Sequence, residues 1–168
     1  MITIGVDPGL HGAIAVYDAA ASAIVEILDM PVTPVLVSKK ERMVLDVPQL
    51  HHEIGRLRKQ FGPALAVLEE VGAMPKDGAV SAFKFGWVVG VIYGAFSGYR
   101  FRIERVRPQI WKKALKVPAI KAASVARADE LFPSHRNLWR GARGGALADR
   151  AEAAMLAKYG AETYVTRS

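Results

Sequence analysis

The 168-residue chain has no cysteine, which excludes disulfides and thiolate metal sites and fits a cytoplasmic protein. No apolar run is expected to reach bilayer length. Ile92 to Phe101 is broken by glycines and Arg100, and Ala146 to Ala157 by charges. The N-terminus has no basic stretch leading into an apolar one, so no secretory signal is expected. The four histidines (His11, His51, His52 and His135) lack zinc-site spacing, and His51-His52 reads as a surface pair opening a helix. There is no Walker lysine motif, nucleophile elbow or GxGxxG turn, which removes the common nucleotide-binding and serine-hydrolase classes. Acidic residues are scarce between positions 100 and 143, where only Glu104, Asp129 and Glu130 stand against twelve lysines and arginines.

That imbalance, within a net charge of +7, points to a polyanionic partner, with nucleic acid first. Hydrophobic residues make up 51% of the chain, enough for a packed core, and residues 1–168 read as one domain. Strands are expected at Ile2–Val6, Gly12–Tyr17 and Ala23–Leu28, with Asp7-Pro-Gly-Leu-His-Gly12 as a tight hairpin turn. Pro31 and Pro34 mark a loop, and Ser38–Arg42 an exposed turn. Leu50, Ile54, Leu57 and Phe61 fall on one face of a helix over Val47–Phe61. Ala64–Leu68 is a short apolar run, as expected of a strand buried on both faces, and it ends in Glu69-Glu70. An apolar helix follows from Ala79 to Ser97, then a strand at Arg102–Val106 and helices at Pro108–Leu115, Lys121–Leu131 and Leu147–Tyr159, the last ended by Gly160. Three antiparallel strands followed by alternating strands and helices predict an α/β fold, a mixed sheet with helices on both faces.

Two acidic residues close apolar strands, Asp7 and Glu69, and strand carboxyl ends are where functional groups gather in such sheets. Asp149 and Glu152, three apart, project from one face at the start of the last helix. Favourable interaction with the helix dipole accounts for either of these alone, but not for Asp7 and Glu69. Four carboxylates from two strand ends and a helix start match the needs of two-metal phosphodiester hydrolysis, with Mg²⁺ the suited ion and Mn²⁺ an alternative.

These residues carry a resemblance. Ile4-Gly-Val-Asp7-Pro-Gly9 resembles the first motif of the RuvC family of Holliday-junction resolvases. Glu69-Glu-Val-Gly-Ala-Met-Pro75 with Ala82-Phe-Lys-Phe-Gly86 resembles the second, and Arg107-Pro-Gln-Ile-Trp-Lys-Lys113, Lys121 and Asp149-Arg-Ala-Glu152 follow in the family's order. The match is closest to phage-type members and covers nearly the whole chain. It implies an RNase H-like fold, a homodimer, and an Mg²⁺-dependent endodeoxyribonuclease that nicks four-way DNA junctions in pairs. Asp7, Glu69, Asp149 and Glu152 would then be catalytic metal ligands for two ions. Lys112 and Lys121 match lysines that contact DNA phosphate, with Lys113 able to replace Lys112. Two departures stand out. Glu152 occupies a place where many cellular members have aspartate, and Gly72 stands where they carry an aromatic wedge, with Met74 the nearest bulky residue.

Other readings of the same residues are an actin-like kinase or heat-shock ATPase, for which the chain is too short to supply both domains, an RNase H-like nuclease acting on RNA–DNA hybrids or rRNA precursors, and an inert DNA-binding module. Gly86, Gly90 and Gly94 form a stripe on the helix from Ala79 to Ser97 that either packs on the sheet or seats a second subunit. The helix has only Ser81, Lys84 and Ser97 to offer water, so it is expected to pair with its symmetry mate.

Overall fold

A computed structural model describes residues 1–72, 78–118 and 120–165, with side chains for all but 121 and 122. Strands β1 (Ile2–Asp7), β2 (Ala13–Asp18) and β3 (Ala23–Asp29) form an antiparallel meander. The first turn is closed by the Asp7–Ala13 pair and by the Gly12 amide donating to the Gly9 carbonyl at 3.1 Å. A side chain at position 12 would collide with the Asp7 carbonyl, so Gly12 belongs to the turn and not, as expected, to the strand.

Residues 32–45 depart from the sequence reading. In place of a loop they form a separate hairpin, β4 (Val32–Val37) and β5 (Lys40–Leu45). Its two-residue turn, Ser38-Lys39, has φ of 49° and 63°, the positive pair that suits the twist of a hairpin. Pro34 suggested a loop because proline cannot donate to a ladder, but a two-stranded ribbon has an outer edge where no donor is needed.

Helix α1 (Val47–Phe61) begins where the Asp46 carboxylate accepts the Gln49 amide at 2.9 Å, and it stops at Gly62 with φ of 71°. It buries Leu50, Ile54 and Leu57 as the spacing predicts. Strand β6 (Leu65–Glu69) returns parallel to β1, and helix α2 (Ala79–Gly98) leads to β7 (Arg102–Val106), parallel to β6. The sheet order is β3-β2-β1-β6-β7. Helices α3 (Pro108–Ala114) and α4 (Lys121–Leu131) and a 3₁₀ turn (Pro133–Trp139) precede α5 (Ala148–Gly160). Gly160 does not end that helix. Helical backbone continues as a π turn over Ala161–Val165.

The sheet separates two cores. Alternate residues Ala13, Ala15, Leu65 and Val67 pack with α3, α4 and α5, whereas Ile4, Val6, Ile14, Ala66 and Leu68 pack with α1 and α2. Helices on both faces of a mixed sheet are therefore as expected. Against β1, α5 lies unusually close. A Cβ on Gly5 would run into the Ala153 carbonyl oxygen and the Ala157 amide nitrogen, and the Thr3 hydroxyl donates to the Ala157 carbonyl at 2.8 Å.

Helix α2 brings two corrections. Its 20 residues are long and apolar enough to cross a membrane by length and composition, contrary to the expectation of no such stretch, because glycine and serine do not interrupt an apolar run and Lys84 is its one charge. Its Gly86, Gly90 and Gly94 also do not pack on the sheet: a Cβ at any of them would meet nothing within 4 Å. Val88, Ile92, Ala95 and Phe96 face the core instead, leaving Phe83 and Trp87 exposed at 76% and 48%.

Candidate active site

Because Val6 pairs with Leu68 in the parallel β1–β6 ladder, one further step along each strand sets Asp7 beside Glu69 at the carboxyl edge of the sheet. Alternation turns both toward the α5 face, since Gly5 and Val67 lie on that face. Helix α5 runs antiparallel to β1, with Ala157 over Thr3 and Ala153 over Gly5. Four helical residues rise about 6 Å, close to the reach of two strand residues. The next step therefore carries the backbone of Asp149 over the Asp7 end, with Glu152 nearly one turn behind.

Three of these carboxylates are buried: Asp7 is 9% exposed, Glu69 8% and Glu152 4%. Asp149 is half-buried. Buried carboxylates require compensation. Glu69 Oε1 accepts the indole N–H of Trp111 at 2.9 Å. Glu152 Oε1 accepts both the Lys112 ammonium at 3.0 Å and the Ser124 hydroxyl at 2.7 Å. Asp7 and Asp149 also have interaction partners, and Glu69 has one besides Trp111. Among the described residues, no three His, Asp or Glu side chains stand close enough together to hold one metal ion. Protein donors draw Glu69 and Glu152 toward α3 and α4, so the four residues share an edge and a face without forming a closed cage. Their donor set is nevertheless all oxygen, which suits a hard divalent cation.

The first turn of α5 is tied to the edge strand β3. Arg150 Nε donates to Asp29 Oδ1 at 2.6 Å and Nη2 to Oδ2, while Nη1 donates to the Leu138 carbonyl at 3.2 Å. The guanidinium, chiefly by hydrogen bonding, holds the Asp29 carboxyl below the usual carboxylate range. Glu70, neighbour to Glu69, is engaged elsewhere, with Arg105 at 3.1 Å and Arg107 at 3.7 Å.

The basic segment is less uniform than its composition suggests. Arg102, Arg105, Arg107, Arg127 and Arg140 are ion-paired with neighbouring acids. Lys113 is exposed on α3, while Lys112 turns inward to Glu152 and lies 5.2 Å from the centre of the Trp111 ring. Lys121 opens α4, but its side chain lies outside the described residues, as does Met74. The sequence reading missed Trp111 and Ser124 as carboxylate partners. A single signal was available for the first, an aromatic residue beside the Lys112-Lys113 pair.

No family model and no curated protein sequence matches the chain. Among solved structures, T. thermophilus RuvC in complex with a Holliday junction substrate superimposes with a TM-score of 0.59 at 18% identity, covering 98% of this chain and 96% of that one. Another structure of Thermus thermophilus RuvC gives 0.57 at 18% identity, with 96% of each chain covered. The mixed five-stranded sheet, flanked by helices and matched over nearly its whole length, thus has the RNase H-like fold of the RuvC resolvases.

Proposed function

We propose that this protein is a divalent-cation-dependent endodeoxyribonuclease that resolves four-way DNA junctions by paired nicking. The observation that carries the reading is the placement of Asp7 and Glu69 at the ends of adjacent parallel strands, with the α5 residues Asp149 and Glu152 laid across them. Three of the four are buried, on a fold whose full-length neighbour was captured with a Holliday junction.

Asp7, Glu69, Asp149 and Glu152 would hold the cations, Mg²⁺ first with Mn²⁺ as an alternative. Divalent cations held there would supply Lewis-acid stabilisation for an in-line displacement at phosphorus. The chain's own part is positional. The β1–β6 ladder and the Gly5–α5 contact fix the four carboxylates on one edge, and Trp111 closes the side away from solvent. Lys113 is exposed on α3 and would meet a phosphate first, Lys112 would join it on release from Glu152, and Lys121 at the start of α4 is assigned to the same role by the resemblance. The protein acts in the cytoplasm on branched DNA.

The test is cleavage of a synthetic four-way junction, with an RNA–DNA hybrid and plain duplex as parallel substrates and Mg²⁺ present or omitted. Paired, Mg²⁺-dependent nicks in the junction alone are expected. Preferential cutting of the hybrid would instead assign the site to RNA–DNA hydrolysis.

Two nicks of like polarity call for two sites, and a C2 dimer provides one per subunit. The outward face of α2, with Phe83 exposed and Gly86 and Gly90 open, suits a symmetry mate. Tyr93→Asp, a charge at a 44% exposed position on that face, is expected to yield monomers that bind junctions weakly and do not cut both strands. Sedimentation of the unmodified protein as a monomer at tens of micromolar would refute the dimer.

A further inference from the structure

We infer that Trp111 is the positioning residue for Glu69, setting the cation affinity of the site through its indole N–H. The inference rests on the proposed role of Glu69 as a cation ligand.

Trp111 is completely buried, in the core formed by α3, α4 and α5, and its indole N–H has to find an acceptor there. It finds Glu69 Oε1 at 2.9 Å, forty-two residues earlier in the chain. A tryptophan locked by packing on every side is a rigid donor. It fixes one carboxylate oxygen in place, where a flexible lysine or arginine would follow the carboxylate as it moved. Because the donor is neutral, this bond itself sets no positive charge beside Glu69 in competition with a cation. A group that orients a metal-binding carboxylate in this way typically changes metal affinity or activity by about 10- to 100-fold when lost.

The protein contains its own control. Trp139 is equally buried and likewise donates its indole N–H to a carboxylate, Asp129 Oδ1, at 2.7 Å. Asp129 is already paired with Arg140 and belongs to none of the four site positions. Trp111→Phe and Trp139→Phe therefore remove the same donor from the same kind of core, and only the first touches the site. A purely structural role would make the two variants behave alike.

Calorimetric titration of Mg²⁺ into the DNA-free protein reads the difference directly. Trp111→Phe is expected to weaken Mg²⁺ binding about tenfold, with Trp139→Phe unchanged and junction affinity kept in both. Cleavage by Trp111→Phe should recover as Mg²⁺ is raised. Equal Mg²⁺ affinity in Trp111→Phe and the unmodified protein would overturn the inference, and so would an equal loss in both variants.

A measurement on the unmodified protein covers the case in which Trp111→Phe does not fold. In ¹H–¹⁵N spectra, the Trp111 indole resonance should move on Mg²⁺ addition while that of Trp139 stays. Saturable Mg²⁺ binding without movement of the Trp111 signal would overturn the inference and leave Glu69 as a ligand intact. Absence of any Mg²⁺ binding would overturn both.

Discussion

Gly5→Ala is expected to unseat the last helix and abolish cleavage together. The added methyl would overlap the Ala153 carbonyl oxygen and the Ala157 amide nitrogen, which are backbone atoms and cannot rotate away as a side-chain tip can. Either β1 or α5 must shift, and α5 packs along its length through residues with 0% exposure from Ala153 to Ala157. Overpacking a dense core in this way costs roughly 3 kcal/mol, which for a domain of this size lowers the melting temperature by about 10 °C. Displacement of α5 also carries Asp149 and Glu152 away from Asp7, so cleavage is lost even where the fold survives. Thermal melts, with cleavage assays run well below the new midpoint, separate the two effects. Gly145→Ala is the matched comparison, because the new methyl meets nothing within 4 Å and lies outside the α2 face. An unchanged melting point for Gly5→Ala would mean that the helix and strand are not packed as described.

Asp7→Asn and Glu69→Gln are expected to have the opposite profile, with stability kept and chemistry lost. Both side chains are at least nine-tenths buried, and a neutral amide costs less to bury than a carboxylate. The amide introduced by Glu69→Gln keeps an oxygen able to accept from Trp111, so packing around the indole is undisturbed. Removing one charged ligand forfeits several kilocalories of transition-state stabilisation. About 4 kcal/mol corresponds to a roughly 1,000-fold slower cut. Junction binding, which the proposed function assigns to basic residues such as Lys113 outside the buried cluster, should remain within a few-fold in a gel-shift titration. Mg²⁺-dependent nicking at an undiminished rate by either variant would remove that residue from the active site.

The parts of the molecule that the sequence made legible are those with local causes. The Leu50–Ile54–Leu57 spacing and the acidic ends of two apolar strands each depend on residues a few positions apart, so α1, β1 and β6 were readable. Placing Asp7 beside Glu69 needed one additional step, the parallel pairing of β1 with β6. What escaped depends on partners far along the chain or on the absence of partners. The Trp111–Glu69 and Ser124–Glu152 bonds join segments 42 and 28 residues apart with no shared motif. Pro34 concealed the β4–β5 ribbon, because its usual penalty does not apply on an outer edge. Three glycines on α2 suggested close approach to the sheet. Helix rotation is set by which large residues are buried, and Val88, Ile92 and Phe96 turned the glycines outward.

The Arg150–Asp29 fork has a consequence for how the site opens and closes. Helix ends fray first, and α5 starts at Leu147 with no side-chain cap to hold its leading amides. Asp149 therefore sits in the turn most prone to transient unwinding. Arg150, the next residue, grips the end of edge strand β3, so that turn does not unwind without also releasing the strand's carboxylate. Fraying is thereby converted from a local event into one coupled to the sheet. Amide hydrogens of Ala151 and Glu152, the first in α5 with helical carbonyl acceptors, would then exchange about as slowly as those of the strand.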